Sequence, residues 1–265
     1  MDILSSVILG AVQGLTEFLP ISSSGHLIIA RDLLGLQTDY GLSVDAVLQL
    51  ATSLAIFIYF RREFGGMIIT FFNLVRGRFV EKRDAVLFWA VVFGTIPAVA
   101  FGLLLENAMD TIFRNTSLVA FSLLTGSLLF YLGERFAKQD SILTPQKGLW
   151  IGFFQSLALI PGMSRSGSTI AGGLLLGLTR EEAARFGFIV GFPILLGSGL
   201  KKLIELQSQG ILLNIGFSVF VGAVCAFVVS MFVIHYLLRY LRSHTLSVFI
   251  WYRVLFALIL LSLPF

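Results

Sequence analysis

Among the ionisable residues inside apolar stretches of this chain, Glu17, His26 and Arg165 are the informative ones. On insertion scales each costs about 2.5–3.5 kcal/mol at a bilayer centre, so such groups usually mark a function. Their neighbours are polar too. Gln13 and Glu17 are spaced i,i+4, one above the other on a helix face. Ser22, Ser23 and Ser24 run into Gly25 and His26, with Ser23 and His26 spaced i,i+3. Arg165 is flanked by Ser164, Ser166, Gly167, Ser168 and Thr169, and Ser166 and Thr169 repeat the i,i+3 spacing. A serine hydroxyl beside an imidazole can act as a nucleophile, the ring taking its proton. A carboxylate near phosphate oxygens commonly holds a divalent metal. A guanidinium grips two phosphate oxygens at once. The set therefore fits phosphate binding with hydrolysis added. Each residue also has a plainer reading: His26 packed in a helix, Glu17 bonded across helices, Arg165 paired with Glu17, the serines as helix caps. Their convergence on two related places favours chemistry.

Those places are interruptions in two unusually long apolar stretches, 3–36 and 148–178. One crossing needs about 20 residues, so each is too long for a single span. The first is broken at Leu19-Pro20-Ile21-Ser22-Ser23-Ser24-Gly25-His26, the second at Ile160-Pro161-Gly162-Met163-Ser164-Arg165-Ser166-Gly167-Ser168-Thr169. Proline stops a helix, and serine competes for its backbone hydrogen bonds. Irregular backbone at membrane depth survives only where it is buried in protein or lines a cavity. Each stretch is thus expected to be a re-entrant helix–loop–helix hairpin whose outgoing half begins at S-x-S-G. A helix start exposes four unpaired N–H groups and about half a positive charge, which suits phosphate. Ser22, Ser24, Gly25, Ser164, Ser166, Gly167 and Thr169 are the candidate phosphate-binding positions.

The two stretches match each other. At an offset of 142, residues 13–36 lie on 155–178 with 10 identities in 24 positions. Gln13 meets Gln155, Ser22 meets Ser164, Ser24 meets Ser166, Gly25 meets Gly167 and Gly35 meets Gly177. An internal duplication follows, with repeats at approximately 1–133 and 148–265 inside a single membrane domain, 1–265.

The rest of the chain agrees with a membrane setting. Of its 265 residues 57% are hydrophobic and 13% charged, against about 25% charged in soluble domains. The mean hydropathy is +0.91. Further apolar stretches lie at 44–60, 85–105, 117–133, 184–200, 211–238 and 246–265. A net charge of +4, concentrated in short connections, is too weak to imply a nucleic-acid partner, and none is expected. Cys225 is the single cysteine and sits in an apolar run, so it is expected to be a small packed side chain. Met1-Asp2 offers no basic n-region, so the first apolar stretch is expected to belong to the mature fold.

Basic residues set the orientation. Segment 61–84, with Arg61, Arg62, Arg76, Arg78, Lys82 and Arg83, is placed in the cytoplasm. So are Arg135, Lys138, Lys147, Arg180, Arg185, Arg239 and Arg242, which makes 13 basic residues inside against Arg114, Lys201 and Lys202 outside. Arg31, Arg165 and Arg253 are left unassigned. His235 and His244, beside Arg239 and Arg242, are expected at a membrane edge. The first hairpin then opens to the extracytoplasmic side and the second to the cytoplasm. The expected fold is an all-α integral membrane protein, an inverted-topology repeat whose two hairpins meet near mid-membrane.

The stretch Gln13-Gly14-Leu15-Thr16-Glu17-Phe18-Leu19-Pro20-Ile21-Ser22-Ser23-Ser24-Gly25-His26 resembles the first signature of the bacterial undecaprenyl-diphosphatases of the bacitracin-resistance type. Pro161-Gly162-Met163-Ser164-Arg165-Ser166-Gly167-Ser168-Thr169 resembles their second. The resemblance covers nearly the whole chain. It implies an enzyme of the bacterial cytoplasmic (inner) membrane that hydrolyses undecaprenyl diphosphate to the monophosphate, recycling the lipid carrier for peptidoglycan synthesis and conferring bacitracin resistance. It also implies a divalent cation, Mg²⁺ or Ca²⁺; the orientation read from the basic residues suggests that the site is reached from the extracytoplasmic side. Carried over by motif, Glu17 takes the essential acidic role, Ser23 and His26 the serine and histidine roles, and Arg165 the phosphate-binding role. Metal binding falls to Glu17 with Gln13, which stands where many members have a second Glu and is the weaker ligand. Type-2 phosphatidic acid phosphatases also use S-G-H and S-R elements, but the histidine and aspartate they require would fall on Gly172 and Leu176. The sequence alone leaves a second function open, a lipid-carrier flippase on the same inverted repeat. It also leaves the assembly open between monomer and homodimer.

Overall fold

The computed structural model of the chain describes residues 1–36, 41–105, 116–208 and 216–262. Arg114, residues 211–215 and residues 263–265 lie outside this set. The described residues form eleven α-helices and no strand. In chain order they are α1 (Ile3–Thr16), α2 (Ser23–Leu33), α3 (Gly41–Tyr59), α4 (Arg61–Val75), α5 (Lys82–Leu104) and α6 (Thr116–Phe136), followed by α7 (Pro145–Ser156), α8 (Arg165–Leu175), α9 (Arg180–Ser208), α10 (Phe217–Leu241) and α11 (Ser247–Ser262). Among the described residues, Lys82–Leu104, Ser117–Phe136, Arg180–Glu205 and Phe217–Leu241 are long and apolar enough to cross a membrane. Large apolar side chains cover the outside as well as the core, among them Leu103, Phe121, Phe220 and Trp251. Water does not favour such a surface, and a lipid phase does. The protein is an all-α, multi-pass integral membrane protein.

Helices 3–16 and 145–156 start alike. Asp2 caps α1 by accepting from the Ser5 N–H at 2.7 Å, and Thr144 caps α7 by accepting from the Lys147 N–H at 3.2 Å. Hydrogen bonds from the Ser5 N–H and hydroxyl hold the Asp2 carboxyl below the usual carboxylate range. Both helices then pack at close range through small residues. On α1, a Cβ at Gly10 would overlap the Gly222 carbonyl of α10, and one at Gly222 would meet Ser6. On α7, a Cβ at Gly152 would overlap the Gly94 carbonyl of α5, and one at Gly94 would meet Gly148. With no hydrophobic drive between helices in lipid, this close backbone approach supplies the association. Around these pairs, α6 packs on α11, and α3 on both α9 and α10.

Segment 61–84, expected as a connection, is largely helical. Arg61–Val75 forms α4, bent by 79° from the preceding helix. Phe64 and Thr70 are buried, while Ile69 and Phe72 point outward. A helix with basic ends and such a divided face suits the water–lipid interface better than a loop does.

Candidate active site

The two expected interruptions are real breaks. α1 ends at Thr16 and α2 begins at Ser23. α7 ends at Ser156, a 3₁₀ turn covers Leu157–Leu159, and α8 begins at Arg165. Ser22 and Ser164 hold positive φ, 76° and 69°, just before each outgoing helix. Gly35 and Gly177 hold 63° and 86° just after it. The left-handed region is strained for a residue with a Cβ, so two serines kept there show a tightly determined turn.

The breaks bring four predicted residues into one network. Glu17 is 6% exposed. Its Oε2 accepts from Gln13 Nε2 at 3.1 Å and from Ser23 Oγ at 2.9 Å. Its Oε1 accepts from Arg165 Nη2 at 3.2 Å. Arg165 therefore reaches from the second break to the first, and its Nη1 donates to the Gly187 carbonyl at 3.3 Å. Its Nε is buried without a partner among the described residues. Gly191 makes the slot: a Cβ there would overlap the guanidinium. A further tie joins the breaks, since Ser166 Oγ donates to Leu19 O at 3.3 Å.

The two outgoing helix starts differ in use. Ser164 Oγ accepts from the Gly167 N–H at 3.3 Å and so caps α8. Ser22 makes no such cap on α2; its hydroxyl meets Ser24 Oγ at 3.2 Å. The start of α2, with Gly25 in its first turn, therefore has no side-chain cap on its N–H groups. Thr169 Oγ1 donates back to the Arg165 and Ser166 carbonyls and lies against Gly187, so its hydroxyl is turned into its own helix.

His26 takes a different position from the one its spacing implied. Its Nδ1 lies 2.7 Å from the Ser22 carbonyl, which can only accept, so Nδ1 carries the proton. In the neutral ring Nε2 is then the acceptor, and the Tyr252 hydroxyl donates to it at 2.7 Å. Phe256 stacks on the ring with centroids 4.2 Å apart. The proton of Ser23 is directed to Glu17 and not to this imidazole. Tyr252 and Phe256 had no sequence signal beyond aromatic residues in an apolar helix. Arg253 had one, a charge inside an apolar stretch, and the structure gives it a place beside the second break.

His235 and His244 are exposed. His235 Nδ1 meets Tyr59 Oη at 3.2 Å, beside a cavity of about 390 Å³ lined also by Arg185, Arg239 and Arg242. That cavity lies away from the Glu17 network, which sits between packed helices. Cys225 is half-buried with no second cysteine near it.

A cation finds few ligands. Among the described residues, no group of three or more His, Cys, Asp or Glu side chains is close enough to hold a metal. Glu17 with Gln13 offers one carboxylate and one carboxamide. That donor set fits an ion of the Mg²⁺ kind, which takes one or two carboxylates and completes its shell with substrate phosphate and water.

Fold and site define a class: a multi-pass membrane protein with a buried carboxylate, serine and guanidinium held between two helix breaks. Residues 6–259 match the family described as Bacitracin resistance protein BacA, and the chain belongs to that family. It is 39% identical over 267 residues to the undecaprenyl-diphosphatase of Thermobifida fusca, covering 99% of this chain and 90% of that protein. It is 40% identical over 269 residues to the undecaprenyl-diphosphatase of Micrococcus luteus, covering 99% and 97%. With the undecaprenyl-diphosphatase of Trichlorobacter lovleyi it shares 40% identity over 260 residues, covering 96% and 94%.

Proposed function

We propose that this protein hydrolyses undecaprenyl diphosphate to undecaprenyl phosphate and inorganic phosphate in the bacterial cytoplasmic membrane. The reaction returns the lipid carrier to cell-wall synthesis and removes the diphosphate lipid that bacitracin binds. The observation that carries this reading is the bridge between the breaks: Arg165 on Glu17, and Glu17 on Ser23. Arg165 and the open start of α2 hold the terminal phosphoryl oxygens. Ser23 Oγ bonds to the terminal phosphorus, its proton passes to Glu17, and the bridging P–O bond breaks to free undecaprenyl phosphate. Water then attacks the phosphoserine, phosphate leaves, and Ser23 regains a proton. The same carboxylate can instead direct a water at the phosphorus. His26, bonded through Nδ1 to the Ser22 carbonyl and through Nε2 to the Tyr252 hydroxyl, holds the turn from which the serines project. Glu17 and the Gln13 carboxamide oxygen would hold a divalent cation, which would offset negative charge on the diphosphate.

The fold behind this site is an inverted repeat opening to the extracytoplasmic side. Four matches at the offset of 142 support the repeat: the caps Asp2 and Thr144, the close crossings at Gly10 and Gly152, the turns at Ser22 and Ser164, and those at Gly35 and Gly177. Its inversion rests on the count of basic residues. Such repeats also build transporters, so a lipid-carrier flippase is the second reading. Purified protein in detergent, given a prenyl diphosphate, separates the two. Phosphate release is expected, abolished by a chelator, restored by Mg²⁺ or Ca²⁺, and lost in Arg165→Ala and His26→Ala. Lipid transfer across vesicles with no phosphate released would favour the flippase. Release that a chelator leaves intact removes the cation from the scheme.

A further inference from the structure

Arg253 is 0% exposed, the most deeply buried charge among the described residues. It has no carboxylate partner among them, although burying an unpaired cation costs several kcal/mol. Its hydrogen bonds go to backbone and a hydroxyl. Nη2 donates to the Gly162 carbonyl at 3.0 Å and the Leu123 carbonyl at 3.1 Å. Nε donates to Ser127 Oγ at 3.2 Å. The guanidinium also lies over the Phe130 ring at 4.6 Å, and Gly126 is the slot that admits it, since a Cβ there would overlap Nη2.

These partners surround Arg165 along the chain. Gly162 lies three residues before it, at φ 99°. Gly167 lies two residues after it, and a Cβ at Gly167 would overlap the Phe130 ring. One guanidinium therefore holds the backbone before Arg165 directly and the backbone after it through Phe130. Lysine offers a compact ammonium without the planar fork, and so does not reproduce the spread of the guanidinium over carbonyls, hydroxyl and ring face. The geometry points to Arg253 as a positioning residue: it fixes the second break on both sides of Arg165 and so aims the group that grips phosphate. The inference rests on the phosphatase reading for what Arg165 holds.

Calorimetric binding of inorganic pyrophosphate to the detergent-purified protein tests it, run beside phosphate release from a prenyl diphosphate. Misplacing a binding group by about 1 Å costs about 10²-fold. Arg253→Lys is therefore expected to weaken pyrophosphate binding and lower kcat/KM by about that factor. Ser127→Ala removes one acceptor and should weaken both by about fivefold, within the range of a single hydrogen bond. A merely structural role would reduce the number of binding sites per chain, reporting less folded protein, with affinity and KM unchanged. That outcome in both variants overturns the inference. If Arg253→Lys yields no folded protein, Ser127→Ala decides alone on the same criterion. Wild-type protein that binds pyrophosphate but releases no phosphate sinks the phosphatase reading instead, and the affinities still decide the role of Arg253.

Discussion

At the scale of residues, one carboxylate carries most of the site. Glu17 is the acceptor for Gln13, Ser23 and Arg165 together. Glu17→Gln leaves the Arg165 charge buried with a neutral partner. Breaking a buried pair costs about 3–5 kcal/mol, and the lower end applies because the carboxamide oxygen still accepts. Phosphate release should fall by about 10²–10⁴-fold, the usual contribution of a positioned base. Thermal unfolding and initial rates check the two parts, and wild-type rates in this variant would remove Glu17 from the chemistry. Tyr252→Phe keeps the stacking on His26 and loses only the hydroxyl. A drop of about tenfold in kcat with KM unchanged is expected, in line with one hydrogen bond; a kcat equal to wild type would show that the tyrosine only packs. Glu17, Ser23 and Arg165 were legible in the sequence because polar residues in apolar stretches need a reason. Tyr252 was not, since its partner stands 226 residues away and an aromatic in a membrane helix has reasons enough of its own. The place of Arg253 was hidden for another cause. Its partners are carbonyl groups, and every residue has one.

At the scale of elements, punctuation was the readable part. Proline, glycine and serine runs located both helix breaks, and Ser23 and Arg165 begin the outgoing helices. Helix 61–75 was not readable, because its basic residues gave a strong orientation signal that masked the apolar periodicity between them. The smooth face of α9 also escaped the sequence, although it decides where Arg165 can lie. Gly187 accepts from the guanidinium and Gly191 leaves room for it. Gly191→Ala adds one methyl group in that slot. Alanine is the better helix former by about 1 kcal/mol, so the helix itself gains. The guanidinium must move, and kcat/KM should fall by about 10²-fold with the melting temperature held or raised. An alanine variant with full activity would show that Arg165 works from another rotamer.

At the scale of the molecule, ion pairs tie several helix ends into one surface. Arg180 pairs with Glu134 at 2.6 Å and Arg242 with Glu181 at 2.7 Å, and Arg185 pairs with Glu63. The Arg242 guanidinium is held further above its ordinary pKa by hydrogen bonding to Glu181. These contacts join the C-terminal ends of α6 and α10, the start of α9 and the start of α4, all ends that the count of basic residues assigns to the cytoplasm. The starts of α1 and α7 are the decisive test of inversion, because their caps are equivalent in sequence yet are assigned to opposite sides. With Cys225 replaced by serine, the chain carries no other cysteine, so single cysteines report one position each. Asp2→Cys and Thr144→Cys remove matching caps at about 1 kcal/mol each, which keeps the pair balanced. In intact cells a membrane-impermeant maleimide should label Asp2→Cys and spare Thr144→Cys, and Arg78→Cys should behave like the latter. Permeabilised cells should label all three. Labelling of Asp2→Cys and Thr144→Cys from the same side would make the repeats parallel, and two parallel hairpins entering from one leaflet could not meet tip to tip across the membrane as Arg165 meets Glu17.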